Sequence, residues 1–352
     1  MPATAAANSF TANDVGVVVI GRNEGERLRR CLTSIAGSGA TTVYVDSGSS
    51  DQSVELARSM NVEIVELDMS RPFTAGRARN EGFARLMAID SGIEFVQLVD
   101  GDCELASEWL AHASAEIKSL REPAIVCGAL LERYPERSVY NRICAIEWNG
   151  PIGEIGTCGG IFMIRSACFK DVGGFDPNII AAEDDDLCLR VRGAGGRIYR
   201  LDQPMAWHDA AMTHFGQWWK RALRCGYAYA QISAIHGRGP FRHFVRESRS
   251  AWFWGLILPL AIILFGIATH GWSLIALPIV YGLAAFRMER HNRRRGLAPA
   301  MAWIYAAHCL GSKFPQVVGQ AKFWWRRARK APNVIIEHKI VEVSDAGRKL
   351  AK

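Results

Sequence analysis

Two acidic clusters carry the plainest chemistry in the sequence. The first, Leu98-Val99-Asp100-Gly101-Asp102, sets two carboxylates one residue apart at the end of an apolar run. Side chains two apart in an extended segment point the same way, so both can approach one divalent cation and the phosphates it holds. The tripeptide is common, and a solvated turn at a strand end has the same composition. The second, Glu183-Asp184-Asp185-Asp186, suits the start of a helix, where acids offset the macrodipole. Four adjacent acids also raise a carboxylate's pKa, which suits a general base near neutral pH. Two further segments belong with these. Asp46-Ser47-Gly48-Ser49-Ser50-Asp51 reads as a tight turn entering a helix. Gly76-Arg77-Ala78-Arg79-Asn80 places two arginines just inside another helix, where they suit an anionic phosphate or plain capping.

The elements that must position these residues follow from hydrophobic periodicity. Short β-branched runs at 15–20, 42–45, 62–67 and 95–99 alternate with amphipathic stretches at 24–36, 50–60, 75–91 and 107–120. Strands are also expected near 124–131, 160–164 and 197–201, with a helix over 184–195. This alternation predicts an α/β fold with a doubly wound, mainly parallel sheet and ligands at the carboxyl ends of its strands.

From residue 215 the pattern changes. Phe215, Trp218, Trp219, Ala222 and Leu223 recur at helical spacing, as in a helix lying in a membrane interface or facing a core. Residues 251–286 contain no Asp, Glu, Lys or Arg and are interrupted at His270-Gly271. The first piece is long enough for a hydrocarbon core of about 30 Å, whereas the second is marginal at about 1.5 Å per residue. Arginines flank the run on both sides, which predicts an even number of crossings with both ends in the cytoplasm. The segment 298–311 is too short to span. Phe323-Trp324-Trp325-Arg326-Arg327 reads as an aromatic, basic interfacial anchor, and 334–336 as a short β-like run.

Charge divides in the same place. The net charge of +7 is the sum of −12 over residues 1–189, with 16 basic and 28 acidic residues, and +19 over 190–352, with 26 and 7. An acidic first half is a poor nucleic-acid binder, and a basic, apolar second half is what an anionic lipid surface attracts. Nine cysteines form no CxxC pair and no zinc spacing, which predicts reduced thiols in a cytosolic compartment. The N-terminus lacks a secretory signal pattern.

The ordered set of motifs resembles the family 2 glycosyltransferases of the GT-A fold. The resemblance rests on Val17-Val18-Val19-Ile20-Gly21-Arg22-Asn23-Glu24, Val45 to Asp51, Ala78-Arg79-Asn80-Glu81-Gly82, Asp100-Gly101-Asp102, Gly173-Gly174-Phe175-Asp176 and Glu183 to Arg190, together covering roughly residues 15–210. The family more often has two acids where this chain has Asp46-Ser47. The resemblance implies that Asp46 and Arg79 hold the nucleotide, with Arg22 and Glu24 lining the same loop. It implies that Asp100 contacts the ribose, that Asp102 coordinates Mg²⁺ or Mn²⁺, and that Asp184 is the catalytic base. His208 occupies the position of a further metal contact, with His214 as a weaker alternative. Gly153 to Gly160, with Trp148, would form an acceptor wall.

The expected organisation is a flexible N-terminus (1–14), a GT-A catalytic domain (15–212), an interfacial helix region (213–250), a membrane hairpin (251–286) and a basic, aromatic tail (287–352). The expected protein is an inverting, metal-dependent hexosyltransferase on the cytoplasmic face of the inner membrane. It moves a sugar from a nucleotide sugar, UDP-linked, to a lipid-linked glycan acceptor in polysaccharide biosynthesis, with no nucleic-acid partner. Direct transfer to a polyprenyl phosphate is the alternative within the class. A sugar nucleotidyltransferase would need a richer Gly/Lys/Arg loop than Gly21-Arg22-Asn23-Glu24-Gly25, a dehydrogenase would need GxGxxG after the first strand, and a non-catalytic adaptor would not need both Asp102 and Asp184.

Overall fold

The computed structural model describes residues 14–120 and 123–331. The chain divides after Ala211 into two compact units.

The first unit opens with the expected alternation: β1 (Val15–Gly21), α1 (Glu26–Ala36), β2 (Thr41–Asp46), α2 (Ser53–Ser59), β3 (Glu63–Glu66), α3 (Ala75–Ile89) and β4 (Phe95–Asp100). Six of the seven β1 residues are buried, which is why this strand reads as a continuous apolar run rather than an alternating one. Helix α1 buries Leu28, Cys31, Leu32 and Ile35, a single stripe at i, i+3, i+4 and i+7. Strands β3, β2, β1 and β4 lie side by side, all parallel. At their carboxyl ends Gly21 is in register with Asp46, and Ile20 with Asp100.

Beyond β4 the elements are β5 (Cys103–Leu105), α4 (Trp109–Ser119), β6 (Pro123–Glu132), α5 (Val139–Glu147), β7 (Gly153–Glu154), β8 (Phe162–Arg165), α6 (Ser166–Asp171), α7 (Glu183–Gly193) and β9 (Arg197–His208). Here the sheet becomes mixed. The order is β3-β2-β1-β4-β8-β6-β9-β5, with β7 on β9; β8 is antiparallel to both β4 and β6, and β5 is antiparallel to β9. Parallel pairing holds for the first four strands and again between β6 and β9, while β8, β5 and β7 run antiparallel to their neighbours. Short β5 and β7 carry too few residues for a periodic signal, and β9 runs on to His208 instead of stopping at Leu201. That extension matters, because antiparallel pairing of Cys103 with His208 places His208 beside the turn that holds Asp102.

The second unit is helical: α8 (Phe215–His236), α9 (Val245–Trp252), a π-helical turn at Phe253–Ile257 continuing into α10 (Leu258–Ala268), a 3-10 turn at Trp272–Ile275 leading into α11 (Ala276–Arg294), α12 (Pro299–Gly311) and α13 (Lys313–Ala328). Helix α8 does not lie free as an interfacial helix. It buries Trp218, Ala222 and Leu223 and packs against α13, leaving Phe215 and Trp219 exposed. The crossing is close because Gly226 and Gly319 have no side chains: a Cβ at Gly226 would fall on the Gln316 carbonyl oxygen, and one at Gly319 on that of Leu223.

Two helical stretches, Val245–Ala268 and Trp272–Arg294, are 24 and 23 residues long, and by length and composition both can cross a membrane. The second seemed marginal because the uncharged run ends at Phe286, but the helix continues through Arg294. Only 17% and 6% of their most apolar segments are buried. The expected anchor splits by helical phase, with Phe323 buried and Trp324 and Trp325 exposed beneath Arg327 and Arg329. The β-like run at 334–336 lies outside the described residues.

Candidate active site

Strand ends and one helix start supply the site. Asp46 closes β2 and is 3% exposed. Its Oδ1 accepts from the Tyr44 hydroxyl (2.9 Å) and the Ser49 hydroxyl (2.5 Å), and its Oδ2 from the backbone N–H groups of Gly48 (2.9 Å) and Ser49 (2.8 Å). The carboxylate thereby folds its own loop. Arg22 reaches across the same loop, donating to the Gly48 carbonyl with its guanidinium over the Phe73 ring. Glu24 pairs with Arg27 at 2.9 Å, and its methylene packs under Gly21 and Gly101.

Asp100 and Asp102, expected to face one cation together, take different partners. The Asp100 side chain is 36% exposed and accepts from Arg79 at 2.8 Å. Asp102 lies beyond the strand in a turn, buried, with Oδ2 3.1 Å from His208 Nε2. Burial lowers the His208 pKa, so the imidazole is neutral near pH 7. Its Nδ1 is buried without a hydrogen-bond partner, and Trp148 stacks on the ring at 4.6 Å and 17°. The third donor nearby, Cys103, is a weak candidate ligand, because burial pushes its thiol well above the ordinary value and it donates toward Asp102 Oδ1 at 3.4 Å. A carboxylate oxygen and a neutral imidazole nitrogen, with no thiolate, form a donor set that suits a hard or borderline divalent cation.

Arg79 is the hub. It lies 2% exposed in α3, with one amino group on Asp100 and the other 2.7 Å from Glu183. The Phe175 ring lies 5.4 Å below its guanidinium. Gly160 passes so close to Arg79 that any Cβ there would overlap the guanidinium. Arg79 was expected to touch the nucleotide. It is buried here, and it ties the end of β4 to the first residue of α7.

The start of α7 follows Ala182, which has φ 60°, a left-handed conformation that turns the chain sharply into the helix. Asp184 comes next after Glu183. Burial, then the charges of Asp185 and Glu183, raise its pKa well above the ordinary carboxylate value; the Arg79 charge opposes this. Asp184 and Asp185 line a cavity of about 650 Å³ together with Trp148, Arg200 and the 154–159 segment. His214 lies in the second unit, at the N-cap of α8.

Two contributors had no assigned role in the sequence. Glu183 was one of four acids in a row, and only the fold shows that it, and not a neighbour, meets Arg79. Arg200 donates both amino groups to the Trp148 carbonyl oxygen at 3.1 Å, fixing the indole that covers His208. Nothing in the local pattern of β9 marks that contact.

Residues 16–166 match the family model described as glycosyl transferase family 2. Residues 141–214 match one described as the N-terminal domain of galactosyltransferase. The first unit is similar in sequence to the family 2 glycosyltransferases and has the GT-A fold. A curated relative, the pre-mycofactocin glycosyltransferase of Mycobacterium tuberculosis, is 28% identical over 236 residues, which cover 63% of this chain and 48% of the relative. The chain thus spans about half the length of that protein. Among solved structures, the mannosyltransferase PcManGT from Pyrobaculum calidifontis in complex with GDP-Man and Mn²⁺ has a TM-score of 0.57 at 15% identity, over 89% of this chain and 88% of that one, a likeness of fold.

Proposed function

We propose that the chain is an inverting glycosyltransferase that moves a sugar from a nucleotide diphosphate sugar, UDP-linked, to a hydroxyl of a lipid-linked glycan. The observation that carries this reading is the Arg79 bridge, which joins the Asp100 strand end to the helix bearing Asp184. Asp102 and His208 would hold Mg²⁺ or Mn²⁺, which when bound neutralises charge on the departing diphosphate. Asp100 is half exposed at the strand end and serves the ribose, while Arg22, Glu24 and Asp46 shape the loop that receives the base. Arg79 acts as a positioning residue rather than as a direct phosphate ligand.

Asp184 takes the proton from the acceptor hydroxyl as the new bond to the anomeric carbon forms and the bond to the diphosphate breaks. A carboxyl held above its ordinary pKa is a stronger base once ionised, which supports this role. A single base opposite the leaving group gives inversion, and no second carboxylate in the cavity is marked out as a nucleophile. The two long apolar helices, with arginines before the first and along the end of the second, support attachment to the cytoplasmic side of a membrane, where a lipid-linked acceptor resides.

Asp184→Asn tests the reading. Transfer should fall by about 10² to 10⁴-fold, the usual contribution of a positioned base, while nucleotide affinity stays within a factor of two. Undiminished transfer in this variant overturns the assignment. A panel of nucleotide sugars assayed against isoprenoid-linked acceptors identifies donor and acceptor together.

A further inference from the structure

Three thiols outside the acid and imidazole site meet at the wall of the cavity. Cys127 on β6 and Cys158, four residues before β8, both line it. Cys188 lies on α7, one turn beyond Asp184, with its Sγ 3.7 Å from that of Cys158. Cys127 and Cys188 are buried and Cys158 is half-buried. A hydrogen bond from Cys158 lowers the Cys127 pKa; burial opposes this and the Arg200 charge assists it. Cys158 therefore stands between two other thiols, with the cavity giving a small molecule a route to the group. Such spacing has no role in the transfer chemistry described above.

We propose that Cys127, Cys158 and Cys188 form a modification site for a small organic disulfide, which enters through the cavity and leaves an internal disulfide at Cys158. The Cys127 thiolate attacks one sulfur of the small disulfide. That S–S bond breaks, a thiolate departs, and a mixed disulfide remains on Cys127. Cys158 gives its proton to the departed thiolate and attacks the Cys127 sulfur, expelling the second half of the reagent as a thiolate, which takes from solvent the proton that Cys127 released on ionising. Two protein thiols are oxidised and one disulfide is reduced to two thiols, so no further oxidant is needed. Cys188 then exchanges onto Cys158, returning the proton and the free thiol to Cys127.

A disulfide sulfur pair is about 2.05 Å apart, so closing Cys158 on Cys188 draws the 156–160 segment toward α7. Gly159 neighbours the Asp184 carboxylate, and Gly160 lies against Arg79. Oxidation therefore narrows the cavity and displaces both groups. This consequence for transfer rests on the role assigned to Asp184; the thiol chemistry does not. The carboxylates Glu147, Glu154, Asp184 and Asp185 in the cavity wall favour a cationic disulfide over an anionic one.

Full-length protein in detergent is treated with cystamine, blocked with N-ethylmaleimide and mapped by mass spectrometry. Cys158 should be recovered in a disulfide to Cys188 or Cys127, with a loss of 2 Da from the intact chain before blocking. In Cys188→Ala the link should be to Cys127 alone, and in Cys158→Ser neither link should form. Transfer should drop at least tenfold on oxidation and return with dithiothreitol. Recovery of Cys158 as the alkylated thiol overturns the proposal, as does a Cys158 disulfide that leaves transfer unchanged. If the reduced protein transfers no sugar, the catalytic reading fails alone, because the mass map still decides the thiol site.

Discussion

Arg79→Ala removes the one cation that Asp100 and Glu183 share, and the two acids respond unequally. The Glu183 side chain is 8% exposed and 2.7 Å from Arg79, so it loses a buried ion pair. Removing one partner of such a pair destabilises by about 3–5 kcal/mol. The Asp100 side chain is 36% exposed, and a pair of that kind contributes about 0.2–1 kcal/mol. The loss should therefore come from Glu183. Adding Glu183→Gln to Arg79→Ala should recover most of it, and Arg79→Lys, which keeps the charge but not the two-pronged geometry, should fall between. A second readout separates packing from electrostatics. Burial, Asp185 and Glu183 hold the proton on Asp184, and Arg79 opposes them. Without Arg79 the rising limb of the kcat/KM profile should move to higher pH, and lysine should return it. Thermal unfolding and the pH profile of transfer measure the two effects. Equal stability of Arg79→Ala and the double variant, or a limb that does not move, would refute the reasoning.

Further outcomes follow from the same geometry. Asp102→Ala and His208→Ala should each abolish the dependence of nucleotide affinity on divalent cation, read by calorimetry with and without EDTA; an unchanged dependence would count against the pair as ligands. Between the ordinary carboxylate pKa and the raised value of Asp184, the folded chain binds more protons than the unfolded one. Stability should then fall as pH rises through that window, and Asp184→Asn should flatten the slope in pH-resolved melts. In the second unit, Gly319→Leu drives a side chain into the Leu223 carbonyl and the Tyr227 backbone N–H of α8. Overpacking of this kind destabilises by about 1–3 kcal/mol, visible as a lower melting temperature in detergent. Full-length protein should float with anionic vesicles in a density gradient, and recovery in the soluble fraction would refute membrane attachment.

The sequence by itself determined the local elements with long, regular patterns. The buried valines of β1, the stripe on α1 and the uncharged run at 251–286 each announce their structure, because periodicity is a property of neighbours along the chain. It also placed Asp100, Asp102 and Asp184 at a strand end and a helix start, where acids have chemical use. Strand direction beyond β4 was not legible, since β5 and β7 are only three and two residues long and their pairing is set by distant partners.

Tertiary structure alone decided who meets whom. That Asp102 faces His208 depends on β5 pairing with the far end of β9, 106 residues away. That Arg79 selects Asp100 and Glu183 depends on α3, β4 and α7 converging, with Gly160 leaving room. The same holds for α8, expected as an interfacial helix: Gly226 and Gly319 bring α13 against one side of it, while Phe215 and Trp219 stay exposed. Residue type fixes what a side chain can do, whereas charge pairing and burial are relations between segments that no local pattern encodes.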